Sequence, residues 1–468
     1  MEKTMPILLL FLCTLSYSYT IWSGNGDTEW YKDSAKAFAI TTPEQLAGLA
    51  KLVNSGQNFY GKTVRLESNI ILNDTTNWQN WASNPPKNKW VPIGIPSSGN
   101  TSDIPFNGTF DGNGYAISGI YTDSTKTSQS LFGLLGSNGT IKNLGVTASY
   151  IIGKFMVSGL VGWSYGSISD SYSTALVESV GSHAGGLVGW SRDGIITDSY
   201  FSGKVTGNGV IGGLVGINSS MIINSYSSGT VIGRIKYSYE KVGGLVGYND
   251  GSITNSHFTG NVIGKSSVGG LVGLNYTQGA ITNSYSIGNV TGERYVGGLV
   301  GCSDEGIISG SYFSGNVAGK MDSGSIGGLV GANYSKILNS YSSGKVTGTK
   351  MVGGLVGSNY KHKVRDHAFG IFTLKTFTGT IINSYSTSNV FGDSITGGLI
   401  GKNDGGKIID SYYDKETSGQ KKIMDGKGKT SAEMKRMATF KGWDFKNIWG
   451  IDDVTNDGYP YLRDTHAK

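Results

Sequence analysis

Two sets of side chains in this 468-residue sequence have the types and spacing to do chemistry. The first set is aromatic. Trp163, Trp190 and Tyr248 each stand four positions after the first glycine of a recurring Gly-Leu-Val-Gly, and Tyr165, Tyr276, Tyr334 and Tyr360 stand two positions further on. Flat rings at a fixed interval suit the apolar faces of sugars and of other extended polymers. The first position drifts through Ile217, Leu274, Cys302, Ala332, Ser358 and Lys402, which suits an exposed column better than a buried ladder. The alternative is that the rings cover a turn and pack locally. The second set is charged and sits in two insertions. One holds Arg234, Tyr237 and their neighbours up to Lys241, and the other holds His362, Arg365 and His367. Insertions in repeat proteins map to loops, often on a binding face. The plain alternative is a solvated charged loop.

Other chemistry is absent from the sequence. It has no P-loop, dinucleotide fingerprint, nucleophile elbow or Cys/His metal cluster. Asp304 and Glu305 are adjacent, so in a strand they point to opposite faces and make a poor acid/base pair. Residues 453–458 begin like a calcium loop, but Asn-Asp-Gly is commonly a simple turn. No catalytic residue, metal set or cofactor is assigned. The net charge of +6 is mild for this length and does not suggest nucleic-acid binding.

The elements that would position these residues are repeats. Gly-Leu-Val-Gly or a variant begins at Gly133, Gly159, Gly186, Gly213, Gly244, Gly270, Gly298, Gly328, Gly354 and Gly398. An Ile-x-Asn/Asp-Ser-Tyr pattern follows, its aromatic column running Tyr172, Tyr200, Tyr226, His257, Tyr285, Tyr312, Tyr341, Tyr385 and Tyr412. Valines five residues later form another column, from Val177 to Val390. With 74 glycines and only 8 prolines, the chain reads as short strands joined by turns. No unit could bury its apolar face alone, but stacked units bury a continuous column. A period of ~27 residues is too short for a propeller blade and suits a parallel solenoid. The expected fold is all-β: a right-handed parallel β-helix of ten or more coils, with short helical caps at both ends. The leucines, isoleucines, valines and tyrosines are expected to form interior ladders, and the Asn/Asp column to sit at a turn.

Residues 1–18 read as a secretory signal: Lys3, an apolar run over 5–15, then Ser16-Tyr17-Ser18. Cleavage would remove Cys13 and leave Cys302 alone, without an intramolecular disulfide. Residues 19–130 are read as a cap helix, with Thr42-Pro43-Glu44-Gln45 as its start, plus irregular first coils. The repeats occupy 131–412, with an insertion at 361–378. Residues 413–468 form a C-terminal cap with a capping box at Thr430–Glu433 and an aromatic strand segment around Trp443 and Trp449. Eight Asn-x-Ser/Thr sites occur, among them Asn218, Asn275 and Asn333.

The repeated Gly-Leu-Val-Gly with Ile-x-Asn-Ser-Tyr and Gly-x-Val resembles the GLUG-motif repeat of secreted and cell-surface bacterial proteins. Thr42–Leu46, Phe106–Gly114, Tyr412-Tyr413-Asp414 and Gly458–Leu462 match the usual surroundings of that repeat. The resemblance implies an adhesin-like surface protein or an accessory region of a surface enzyme, such as an immunoglobulin-A peptidase. The zinc-binding His-Glu-x-x-His of those peptidases has no counterpart here, so peptidase activity does not carry over. The expectation is a non-catalytic secreted or surface protein that binds a polysaccharide or an extracellular or host-surface ligand along its extended face. It would be neither a nucleic-acid binder nor a transmembrane protein. The alternatives are a carbohydrate-active lyase or hydrolase on the same scaffold, or a passive spacer.

Overall fold

The computed structural model describes residues 21–97, 102–234, 239–320, 324–368, 371–420 and 425–466. The signal expected at 1–18 and Tyr237 lie outside them, as do the side chains of Arg365 and His367. The chain winds into a β-solenoid of about 13 turns, about 28 residues each. Each repeat supplies rungs to two long sheets, and every rung pairs in parallel with the same rung of the next coil. Val161 opposes Val188, Val188 opposes Val215, and the column runs unbroken to Ile400. Ile168, Ile196 and Ile222 do the same on the strand that follows.

The interior follows from this register. Leu187, Val188, Ile196, Val205 and Ile211 are fully or almost fully enclosed, and their counterparts in other coils join the same core. Close stacking depends on the motif's first glycine. A Cβ on Gly213 would lie 1.9 Å from the carbonyl oxygen of Gly244, so no larger residue fits. The turn after the isoleucine needs positive φ. Asp198, Asn224, Asn255 and Asn283 adopt φ of 48°, 49°, 50° and 47°, the left-handed region that Asn and Asp tolerate best among non-glycine residues. The serine after each of them ties coil to coil: the amide of Ser171 donates to Ser199 Oγ, and that of Ser199 to Ser225 Oγ, each at 3.2 Å.

The expected tyrosine ladder exists but faces outward. Its rings stack at 4.9 Å, Tyr172 on Tyr200 and Tyr200 on Tyr226, within 3° of parallel. The inward residue is the next one along, where Phe201, Phe258 and Phe313 alternate with Ser227, Ser286 and Ser342. Large and small residues thus alternate along the inward column from Phe201 to Ser342. The alternation hid the interior column and made the more regular tyrosines look like it.

The ends are closed by different means. At the N-terminal end, helix Pro43–Asn54 starts with a capping box between Thr42 and Gln45 and adds Leu46, Leu49 and Val53 to the core. At the other end, short helices Lys415–Ser418 and Ser431–Met434 precede a strap that runs back along the outside of the second sheet. Trp443, Trp449, Phe440, Tyr459 and Leu462 pack there on Tyr312, Tyr341, Tyr385 and Tyr412. Within the strap only Trp449–Gly450 and Tyr461–Leu462 are strand, paired antiparallel, so the expected aromatic strand is mostly irregular chain. Residues 453–458 form a turn whose amides at Val454 and Thr455 donate to Asp452 Oδ1.

Candidate functional site

The variable column stands on the outer side of the first sheet, beside the core valines. Trp163, Trp190, Ile217, Tyr248, Leu274, Cys302, Ala332, Ser358 and Lys402 are successive partners, one per coil. The rings do not form one continuous strip. Trp163 stacks on Trp190 at 4.7 Å and on Tyr165 at 6.0 Å. Tyr248 meets Tyr276 at 5.8 Å, and Tyr334 stacks on Tyr360 at 4.8 Å. Ile217 separates the first island from the second, and Leu274, Cys302 and Asp304 separate the second from the third. Tyr276 is exposed and the other rings are half-buried. The indole Nε1 atoms of Trp163 and Trp190 are enclosed without a hydrogen-bond partner.

The drift from large to small has a tertiary cause. Each motif's second glycine lies against the last strand of the preceding coil: a Cβ on Gly331 would come 2.8 Å from the carbonyl carbon of Tyr295. The same contact places Lys241 beside Gly273, Ser267 beside Gly301 and Ser325 beside Gly357. A second outer column, including His183, Lys241 and Tyr295, therefore flanks the first. Ser325 Oγ and Ser358 Oγ meet at 2.8 Å across the two columns. Ala332 and Ser358 are fully enclosed and Cys302 nearly so, because neighbours supply the bulk there. The sequence signal for this second column is the residue before each Val-Gly-Gly, which varies as freely as the first. Burial pushes the Cys302 thiol up to about 12 and lowers the Lys241 ammonium from its ordinary value.

The second insertion is an antiparallel hairpin, with Lys361 opposite Thr378 and Ala368 opposite Ile371. Its base returns to the aromatic face. His362 packs edge-on to Tyr334 at 4.9 Å and parallel to Phe377 at 5.3 Å, and its Nε2 stands 3.9 Å from Asp304 Oδ1. Desolvation raises the Asp304 carboxyl above its usual range. Of the first insertion, Lys241 reaches this face through the second outer column. Arg234 instead pairs with Glu178 at 2.6 Å, and Glu178 also accepts from the Tyr150 hydroxyl at 2.6 Å. Among the described residues, no three His, Cys, Asp or Glu side chains group to hold a metal ion.

The model of the repeat described as the GLUG motif matches residues 180–206, 238–263, 264–291, 292–318 and 322–347. The chain carries GLUG-motif repeats. GLUG register continues beyond the matched segments, since Val161, Val215, Val356 and Ile400 occupy the same rung. Halomucin of Haloquadratum walsbyi is 29% identical over 215 residues, 45% of this chain and 2% of its own length. A provisionally named Gly-rich membrane protein of Evansella cellulosilytica is 41% identical over 58 residues, 12% of this chain and 6% of its own length. The chain thus spans a small fraction of either relative. A solved Bacteroides ovatus structure, provisionally named an immunoglobulin A1 protease, aligns over 92% of this chain and 94% of that one at 17% identity, with a TM-score of 0.36.

Several asparagines in GLUG units are structural. Asn218, Asn275 and Asn333 are enclosed, and Asn218 Nδ2 donates to Asn249 Oδ1 at 2.8 Å in an interior ladder. The side chains of these three Asn-x-Ser/Thr sequences are therefore unreachable in the folded chain. No helix among the described residues is long and apolar enough to cross a membrane.

Proposed function

We propose that this GLUG-repeat solenoid is a non-catalytic exported protein that binds an extended glycan or matrix polymer along the outer face of its first sheet. The observation that carries the reading is the stack of Trp163 on Trp190, flanked by Tyr165, on the outside of the rod. Half-buried rings held by a rigid scaffold offer apolar contact at little cost in side-chain entropy. Because the rings lie against one another, a ligand would meet their outer edges together with the nearby Arg192 and Asp193. Export is supported by the order of charge, apolar run and small residues at the N-terminus.

The test is a pull-down of residues 19–468 on insoluble polysaccharides and matrix proteins, with the supernatant assayed for new reducing ends and unsaturated sugars. Binding without products, lost in Trp163→Ala/Trp190→Ala, is the expected result. Released products would replace this reading with the carbohydrate-active one. Neither binding nor products across the panel would leave the rod as a spacer.

A further inference from the structure

The outward aromatic column of the second sheet is covered along only part of its length. The C-terminal strap encloses Tyr312, Tyr341, Tyr385 and Tyr412, leaving them 6%, 1%, 0% and 3% exposed. Tyr172, Tyr200, Tyr226 and His257 remain half-buried with no strap over them. The boundary falls at the coil of Tyr285, where Asn283 Nδ2 donates to Asp464 Oδ2 at 3.1 Å.

The strap shows what this surface binds. It lays indole and phenyl rings against the tyrosine edges, with Phe440 edge-on to Tyr412 at 5.2 Å and Trp449 at 5.9 Å from Tyr385. It reads a rung hydroxyl through peptide and amide groups: Tyr385 OH donates to the Pro460 carbonyl and accepts from Asn456 Nδ2 at 2.7 Å. It ends on an asparagine of the turn column. The uncovered rungs repeat these features. Tyr172, Tyr200, Tyr226 and His257 continue the spacing at 4.9, 4.9 and 5.0 Å, and Asp198, Asn224 and Asn255 continue the turn column beside them. Ring faces in the column are taken by neighbouring rings. Ring edges and hydroxyls are what remain, and those are the groups the strap engages.

We propose that Tyr172, Tyr200, Tyr226 and His257 form a docking surface for an extended tryptophan-bearing peptide segment of a partner protein, held as residues 440–464 are held on the other rungs. The surface is continuous with that intramolecular interface and lies on a different sheet from the proposed glycan face.

The probe is a synthetic peptide of residues 438–464, titrated into the full chain by calorimetry, with a scrambled peptide as control. Saturable one-to-one binding is expected. It should weaken at least tenfold in Tyr200→Ala, and severalfold in Tyr200→Phe/Tyr226→Phe, which keeps the stack and removes two hydroxyls. If Tyr200→Ala fails to fold, the phenylalanine variant decides. No binding, or binding equal to that of the scrambled peptide, overturns the proposal. So does binding indifferent to these variants, which would mean exchange with the chain's own strap. Polysaccharide pull-down by the same variants should be unchanged.

Discussion

Asn283 and Asp464 are 181 positions apart in the chain, yet the amide of one donates to the carboxylate of the other at 3.1 Å. This contact pins the end of the strap four rungs back from Tyr412, across the outside of the repeats. The second sheet is therefore held by its ladder hydrogen bonds and also by a lateral brace of aromatic side chains.

The brace should behave as a separable unit. Trp449 is fully enclosed and stacks on Trp443 at 4.5 Å. Trp449→Ala should cost about 3–5 kcal/mol in the stability of the strap, the range for large-to-small aromatic truncations. Limited proteolysis should then cut within 430–466 while the repeats stay resistant and far-UV circular dichroism keeps its β signal. Unchanged resistance would show that Trp449 does not hold the strap.

The first glycine of the motif should tolerate no side chain. Gly213→Ala would place a methyl 1.9 Å from a backbone carbonyl that is itself fixed in the ladder. Overpacking of this kind costs about 1–3 kcal/mol, and more where backbone cannot shift. Urea unfolding should show a lower midpoint for Gly213→Ala than for Ser228→Ala on the outer side of the second sheet.

Stability should fall on mild acidification. Burial holds the His257 and His183 imidazoles below the ordinary histidine value, and the Lys241 charge adds to the effect at His183. The unfolded chain takes up these protons near pH 6.5 and the folded chain resists them. Their contribution is intact above about pH 6.5 and is lost as pH drops below it, through the folded values. Urea midpoints at pH 7.5 and 5 should differ in that direction. His257→Tyr, which extends the tyrosine column, should shrink the difference.

Cys302 should be chemically silent while the chain is folded. It is 8% exposed, and its thiol is pushed up to about 12, so almost no thiolate exists at pH 8. Ellman's reagent should detect no thiol in native residues 19–468 and one after denaturation. Rapid native labelling would mean that the outer columns open.

Much of the architecture was legible along the chain, because a solenoid repeats its local rules in every coil. The period marked the coil, Gly-Leu-Val-Gly the tight corner and the first-sheet rung, and Asn-Ser the left-handed turn. Thr42–Gln45 and Thr430–Glu433 both form the capping boxes expected of them. Each of these depends on neighbours within a few residues or on the same residue one coil away.

What failed to show in the sequence depends on contacts between columns. Alternation says that Tyr200 and Phe201 face opposite ways, but not which of the two is inside. Serines interspersed among the phenylalanines masked the interior column, and the more regular tyrosines took its place in the expectation. Likewise, the shrinking of the outer column at Cys302, Ala332 and Ser358 answers to side chains on the preceding coil, Tyr295 and Ser325 among them. The sequence alone determined the coil and its corners, since one coil sets the geometry of the next. Only the tertiary structure decided which face is covered, since covering the tyrosine column requires a strap from the far end of the chain.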